Sequence, residues 1–204
     1  MDISFKDAHR KFQTTAFNVM VKPIGPICNL NCTYCYYLEK KNLYESVNNF
    51  KMSDEVLESF IKQYIEGQKA PMITFVWQGG EPTLLGIDFY EKVVKLQQKY
   101  KGKKTIENSF QTNGTKIDED WAKFLAENEF LVGVSVDGPK WLHDKYRRYK
   151  NGQGSFEDVM KAIELLKKHR AEFNTLTVVN DHNSYYPRDV YRFLKNIESK
   201  FIQF

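Results

Sequence analysis

Runs of strand character and runs of helix character alternate along this chain at roughly 30 residues per unit, and that alternation leaves few folds open. Residues 17–21 (FNVMV) read as a first strand stopped by Pro23. Ser53 then caps a helix carrying Val56, Leu57, Phe60, Ile61, Tyr64 and Ile65, with Asp54 and Glu55 in the first turn where the macrodipole favours them. A second strand, 73–77, ends at Gly79-Gly80, and Phe89, Val93, Val94 and Leu96 mark a second helix closed near Gly102. The third strand, 105–110, breaks at Asn113-Gly114 and is followed by a helix opened by Asp118 through Trp121, Phe124 and Leu125. The fourth strand, 131–136, breaks at Asp137-Gly138-Pro139. Residues 140–154 are polar and read as a long surface loop. Ser155, with Asp158 three residues on, gives a capping-box-like start to a helix bearing Val159, Ile163 and Leu166. Residues 173–179 form a fifth strand, Val190, Phe193, Leu194 and Ile197 a fifth helix, and 201–204 the start of a sixth strand. Such alternation implies right-handed βαβ crossovers and a parallel α/β sheet. Five units plus a strand suit a barrel-like wall, and a doubly wound sheet is the other arrangement the periodicity allows. The chain stops on an apolar strand with no covering helix, so the natural protein is expected to continue past residue 204.

Composition narrows the function. Thirty Lys and Arg against twenty-six Asp and Glu leave a scattered net charge of +4, which does not make a nucleic-acid platform. The longest apolar stretch, 130–136, is far too short to span a bilayer. The opening segment MDISFKDAHR places charges where a secretory signal needs an apolar core. A cytoplasmic protein with neither membrane nor nucleic-acid partners is the expectation.

In parallel α/β folds the C-terminal strand ends form one rim where ligands bind. Four unusual loops fall there: Cys28-x3-Cys32-x2-Cys35, Gly79-Gly80-Glu81-Pro82, Gln111-Thr112-Asn113-Gly114 and 135–139 (SVDGP). The chain's only three cysteines lie within eight residues, a poor disulfide framework and a natural metal or cluster site. Three thiolates on a [4Fe–4S] cubane leave one iron open for a small ligand. Zinc held by three cysteines and a histidine is the alternative, although His9, His143, His169 and His182 lack ligand spacing and read as surface residues. Trp77, Phe89 and Trp121 read as core. Taken singly, Gly79-Gly80 reads as a tight turn, Ser135 as a strand-end hydrogen-bonding residue and Arg147 as a solvated cation; together on one rim they read as a site.

The loop Cys28-Asn29-Leu30-Asn31-Cys32-Thr33-Tyr34-Cys35 resembles the CxxxCxxC loop of the radical S-adenosylmethionine enzymes, with an aromatic before the third cysteine. Gly79-Gly80-Glu81 resembles the same family's GGE motif at the expected strand end. The strings WQGGEPTLLG, SFQTNGT and LVGVSVDGP are similar to the anaerobic sulfatase-maturating enzymes of its peptide-modifying branch, and the likeness runs from the first strand to the last residue. It implies a partial (βα)6 TIM-like barrel truncated at about the sixth strand, with residues 1–204 an incomplete catalytic domain. It implies a [4Fe–4S] cluster on Cys28, Cys32 and Cys35, with S-adenosyl-L-methionine chelated at the open iron. Gly79 and Gly80 let backbone approach that ligand, Glu81 supports its ammonium, Ser135 contacts ribose and Arg147 meets the methionyl carboxylate. Arg148, adjacent, competes for that last register. Tyr37, Gln78 and Gln111 match positions beside the adenosyl group and peptide, while Tyr36 packs against the cluster loop. The implied reaction forms a 5′-deoxyadenosyl radical that oxidises a Cys or Ser of a sulfatase polypeptide to Cα-formylglycine, with electrons from a donor such as flavodoxin or ferredoxin. The maturases keep auxiliary clusters and an acidic base in their C-terminal part. No cysteine follows Cys35, no catalytic base is identified in this chain, and the chain by itself is expected to cleave the nucleotide slowly without completing formylglycine. Another peptide-modifying radical enzyme and a zinc-stabilised non-catalytic domain are the alternatives.

Overall fold

The computed structural model describes residues 16–44 and 49–204. Six strands form one sheet: β1 (Val19–Val21), β2 (Met72–Trp77), β3 (Thr105–Thr112), β4 (Phe130–Ser135), β5 (Phe173–Leu176) and β6 (Ile202–Gln203). They run in sequential order and every neighbouring pair is parallel. A doubly wound sheet reverses its strand order at a switch point. This one does not, so it is the open arc of a barrel. Right-handed crossovers that all step the same way put every helix on one face and leave the other face free.

The crossovers are α1 (Asp54–Gly67), α2 (Ile87–Tyr100), α3 (Glu119–Glu127), α4 (Lys140–Tyr146), α5 (Phe156–Lys168) and α6 (Pro187–Asn196). The Ser53 hydroxyl accepts from the Val56 N–H at 3.3 Å and the Asp118 carboxylate from the Trp121 N–H at 2.9 Å, so both N-caps form as the sequence predicts. Ser155 does not cap α5 with its side chain; its hydroxyl is engaged elsewhere, and the Asp144 carboxylate takes the Phe156 N–H at 2.9 Å. The segment 140–154 is not a loop throughout, because α4 occupies its first half and buries Leu142 and His143. The first strand is shorter than its apolar run: the Phe17 carbonyl accepts from the Tyr64 hydroxyl at 3.2 Å instead of joining the ladder. The fifth stops at Leu176 because the Val178 N–H turns to the Asp137 carboxylate at 3.0 Å.

Register sorts the two faces. Val21, Trp77, Phe110 and Val132 align across β1 to β4 on the helix side, and Phe75 aligns with Asn108 and Phe130 one pleat away. Onto this face pack Phe60 and Tyr64 of α1, Tyr90 of α2, and Trp121 and Phe124 of α3. Burying such rings supplies the main driving force. Trp77, Phe89 and Trp121 are buried, as expected of core residues. The opposite face carries Gln78, Gln111 and Ser135 to the mouth of the site. Among the described residues, no helix is long and apolar enough to cross a membrane.

One polar group is embedded in the aromatic layer. Asn108 accepts from the Trp77 indole N–H at 2.9 Å and from the Gln97 amide at 2.8 Å, and donates to the Gln97 carbonyl at 2.9 Å. This pins α2 to β3. Asn108→Leu would strand the indole N–H and both ends of the Gln97 amide in the core. The expected loss is about 2–3 kcal/mol of stability, measured by urea denaturation.

Candidate functional site

All four strand-end loops meet on one rim, around a cavity of about 430 Å3. Its walls include Cys28, Cys32 and Cys35 with Tyr37, Gln78, Gly79, Gly80, Gln111, Ser135 and Arg147. Of the candidate site residues read from the sequence, Glu81 and the competing Arg148 are not wall residues.

The cysteine loop follows β1. The Cys35 N–H donates to the Cys32 carbonyl at 3.0 Å, closing a turn that puts the two thiols near each other. Cys32 is the buried one of the three, and Cys28 is half-buried; the Leu30 N–H at 3.4 Å and the Asn113 amide at 3.6 Å both point at the Cys28 sulfur. Burial raises the thiol pKa of Cys28 to about 11 and also raises that of Cys32, where the Arg147 charge acts in the opposite sense. Tyr36 is largely exposed and sets its ring edge-on to Tyr37 at 6.0 Å. The Asn31 N–H donates to the Arg148 carbonyl at 2.7 Å, and Leu30 bridges Tyr149 antiparallel, so the loop is stitched to the chain after α4.

Gly79 and Gly80 form the facing wall in left-handed backbone, with φ of 91° and 52°. A Cβ on Gly80 would lie 2.0 Å from the Ile27 carbonyl oxygen, so only glycine lets this turn close on the cysteine loop. Glu81 turns inward. Its buried carboxylate accepts from the Thr83 N–H at 3.1 Å, the Thr83 and Thr112 hydroxyls at 2.7 Å each, and the Asn113 N–H at 2.7 Å. Burial raises its pKa despite these donors. It joins the loops after β2 and β3.

Arg147 is not a solvated cation: it is buried, and its Nε donates to Asp137 Oδ2 at 3.0 Å. Arg148 instead sends Nε to the Asp144 carbonyl at 2.6 Å on the exposed side. Asp137 also accepts from the Tyr34 hydroxyl and the Val178 N–H. Tyr34 lies between two of the cysteines, and its ring faces the guanidinium at 5.6 Å. Burial discourages the Arg147 charge, and the Asp137 carboxylate restores it, leaving its pKa raised. With Nε committed to Asp137, the guanidinium is oriented, and Arg147 lines the cavity beside Cys32.

The surface reading fails for His143, which is fully buried. The Ser155 hydroxyl donates to the Arg147 carbonyl at 2.9 Å, so its oxygen accepts from His143 Nε2 at 3.0 Å. His143 Nδ1 then accepts the Asp137 N–H at 3.3 Å. Protonating Nδ1 would oppose two N–H groups, and burial, then the Arg147 charge, lower the His143 pKa to about 3. His169 is partly exposed against Glu119, His182 sits among Trp141, Tyr146 and Tyr186, and His9 lies outside the described residues. Sequence reasoning missed Asp137, Tyr34, Asn113 and His143 as site-building residues. Asp137-Gly138-Pro139 carries a strong turn signal that masked the carboxylate, and His143 carries no local signal.

The cavity offers three thiols and no imidazole. None of the described histidines lines it, so zinc there would lack the fourth ligand of a closed three-cysteine, one-histidine site. Three thiolates on one cavity fit a [4Fe–4S] cluster with one iron left open. The glycine turn opposite leaves backbone, not side chain, facing that space.

The family model described as the radical SAM superfamily matches residues 23–194. The serine-type anaerobic sulfatase-maturating enzyme of Bacteroides thetaiotaomicron is 52% identical over 186 residues, covering 91% of this chain and 45% of that protein. The cysteine-type enzyme of Clostridium perfringens is 45% identical over 188 residues, covering 92% of this chain and 50% of its own length. This chain therefore spans about half the length of the curated relatives it matches. Among solved structures, native anSMEcpe with bound AdoMet and Cp18Cys peptide superimposes with a TM-score of 0.83 at 45% identity, over 92% of this chain and 50% of that one. Coproporphyrinogen III oxidase of Escherichia coli, 13% identical with a TM-score of 0.59 over 98% of this chain and 47% of its own, shares the fold.

Asp137→Asn leaves the buried Arg147 charge without its counter-charge and should cost about 3–5 kcal/mol, read from urea denaturation. His143 sets a pH dependence. Folded His143 stays neutral down to about pH 3, whereas the unfolded chain takes a proton near 6.5. The unfolded state thus binds more protons between those values, and stability should fall as pH drops from 6.5 toward 3. His143→Gln should flatten that part of the stability–pH curve.

Proposed function

Because the chain belongs to the radical SAM superfamily, we propose that its rim cavity holds a [4Fe–4S] cluster on Cys28, Cys32 and Cys35 and binds S-adenosyl-L-methionine against it. The observation that carries this reading is the meeting of three thiols, a glycine turn and an oriented buried guanidinium on one cavity. When bound, the cluster and the sulfonium nucleotide supply one-electron cleavage and hydrogen-atom abstraction.

The chain's own residues bind and orient. Arg147, aimed by Asp137, presents a guanidinium to the methionyl carboxylate, a match of fork to planar anion. Backbone carbonyls at Gly79 and Gly80 accept from the ammonium, and Glu81 keeps that turn in place by tying it to Thr112 and Asn113. The Ser135 hydroxyl, at the end of β4, serves the ribose. Tyr34 braces the cysteine loop against Asp137. Tyr37, Gln78 and Gln111 line the side on which a polypeptide enters. The sheet wall keeps water from the reacting atoms.

For the whole protein we propose the anaerobic sulfatase-maturase reaction: oxidation of a Cys or Ser in a sulfatase polypeptide to Cα-formylglycine, in the cytoplasm, with a flavodoxin or ferredoxin as electron donor. In this reading residues 1–204 are the incomplete catalytic domain that binds the nucleotide, and the further oxidation draws on groups in the remaining length that the relatives possess.

Anaerobic reconstitution tests the reading. The chain should take up about four irons, show sulfide-to-iron charge-transfer absorption, and change its spectrum on adding S-adenosyl-L-methionine. Cys32→Ala should abolish that response and all nucleotide cleavage. Colourless stoichiometric zinc, or iron with no spectral response to the nucleotide, would overturn it.

A further inference from the structure

Lys22 directly follows β1 and lines the same cavity. Its stem crosses the face of Gly79, where a Cβ would lie 2.5 Å from Lys22 Cγ. The stem is thereby held, and its ammonium is carried to 3.4 Å from Gln78 Oε1 and 4.4 Å from the centre of the Tyr37 ring. Among the described residues, no carboxylate forms an ion pair with it. Burial lowers its pKa, with the charge of Cys35 acting the other way.

The ammonium fixes a direction. Lysine donates and cannot accept, so the Gln78 amide must turn its oxygen to Lys22. The Gln78 nitrogen then faces Gln111, and it donates to Gln111 Oε1. Gln111 has spent its oxygen, so its Nε2 is the end of the relay that remains. Among the described residues, that nitrogen donates to no protein group. Without a donor-only residue at the start, both carboxamides could flip together and present an oxygen instead.

We infer that Lys22 is a positioning residue that sets the polarity of a Lys22–Gln78–Gln111 relay, so that the site presents an N–H donor and selects a hydrogen-bond acceptor, a backbone carbonyl of an extended polypeptide. The inference rests on the polypeptide reading proposed above and adds which end of the peptide unit is recognised. Tyr37 holds the ammonium by its ring face, which attracts a cation without competing for the hydrogen bond.

Binding of a fluorescent Cys-containing sulfatase peptide to the anaerobically reconstituted chain is the test, read by anisotropy. Lys22→Met keeps a stem of similar length across Gly79 but removes the donor, and should weaken binding roughly tenfold. Lys22→Arg restores a donor-only group and should recover most of it. Gln111→Glu places oxygens at both ends of that side chain and should weaken binding at least as much as Lys22→Met. Thermal midpoints near that of the unmodified chain show that the variants fold. Equal binding by Lys22→Met, failure of Lys22→Arg to rescue, or unimpaired binding by Gln111→Glu would each overturn the relay. Glutamine side-chain amide NMR signals without peptide give a second measurement. The Gln78 and Gln111 signals should move in Lys22→Met and return in Lys22→Arg; unmoved signals overturn the relay even if the peptide binds. If the unmodified chain binds no peptide, the polypeptide reading fails while these signals still decide the polarity.

Discussion

Sequential parallel order is the constraint from which the rest of this molecule follows. Each right-handed crossover advances one strand in the same direction, so every helix lands on one face of the sheet and every strand points its C-terminal end at one rim. The helix face can then be filled by Phe75, Trp77, Phe110 and Phe130 around the single satisfied amide of Asn108. The other face is released from core duty and carries Gln78, Gln111 and Ser135 into the cavity. Chemistry and stability are thereby divided between two sides of the same strands.

The rim itself is irregular chain, and two buried carboxylates hold it. Glu81 gathers donors from the loops after β2 and β3, while Asp137 gathers Tyr34, Arg147 and the Val178 amide from three more segments. A buried carboxylate is tolerable only when its oxygens are satisfied, so each one forces its neighbours into a single arrangement. His143 and Ser155 extend the second network to the backbone of Arg147. The result is a site whose loops are tied to one another as well as to the sheet, the kind of support a reactive centre needs to hold its geometry.

Much of this was legible in the residues. Hydrophobic period placed the strands and the helices that cover the sheet, and local chemistry at Ser53 and Asp118 set two helix starts. The spacing of Cys28, Cys32 and Cys35 and the Gly79-Gly80 turn marked the cavity. Local rules failed where a side chain had a distant use. Ser155 and Asp158 look like a capping box, yet the Ser155 hydroxyl goes to Arg147 and His143. The polar run 140–154 reads as loop because, beside Leu142, its buried members are the polar His143 and Arg147, satisfied by partners on other segments. Phe17 and Val178 extend apolar runs whose backbone groups are claimed by Tyr64 and Asp137, and so fall outside the strands.

By itself, then, the sequence determined the parallel α/β class, the alternation of strands and helices, and the residue types gathered at the strand ends, because periodicity and short-range spacing are local properties of the chain. Tertiary structure alone decided the sequential strand order over a doubly wound one, the burial of Arg147 against Asp137, the burial of His143 and the inward turn of Glu81. Each of those depends on which buried charge or polar group meets which partner across tens of residues, and no local pattern encodes the cost of leaving one unpaired.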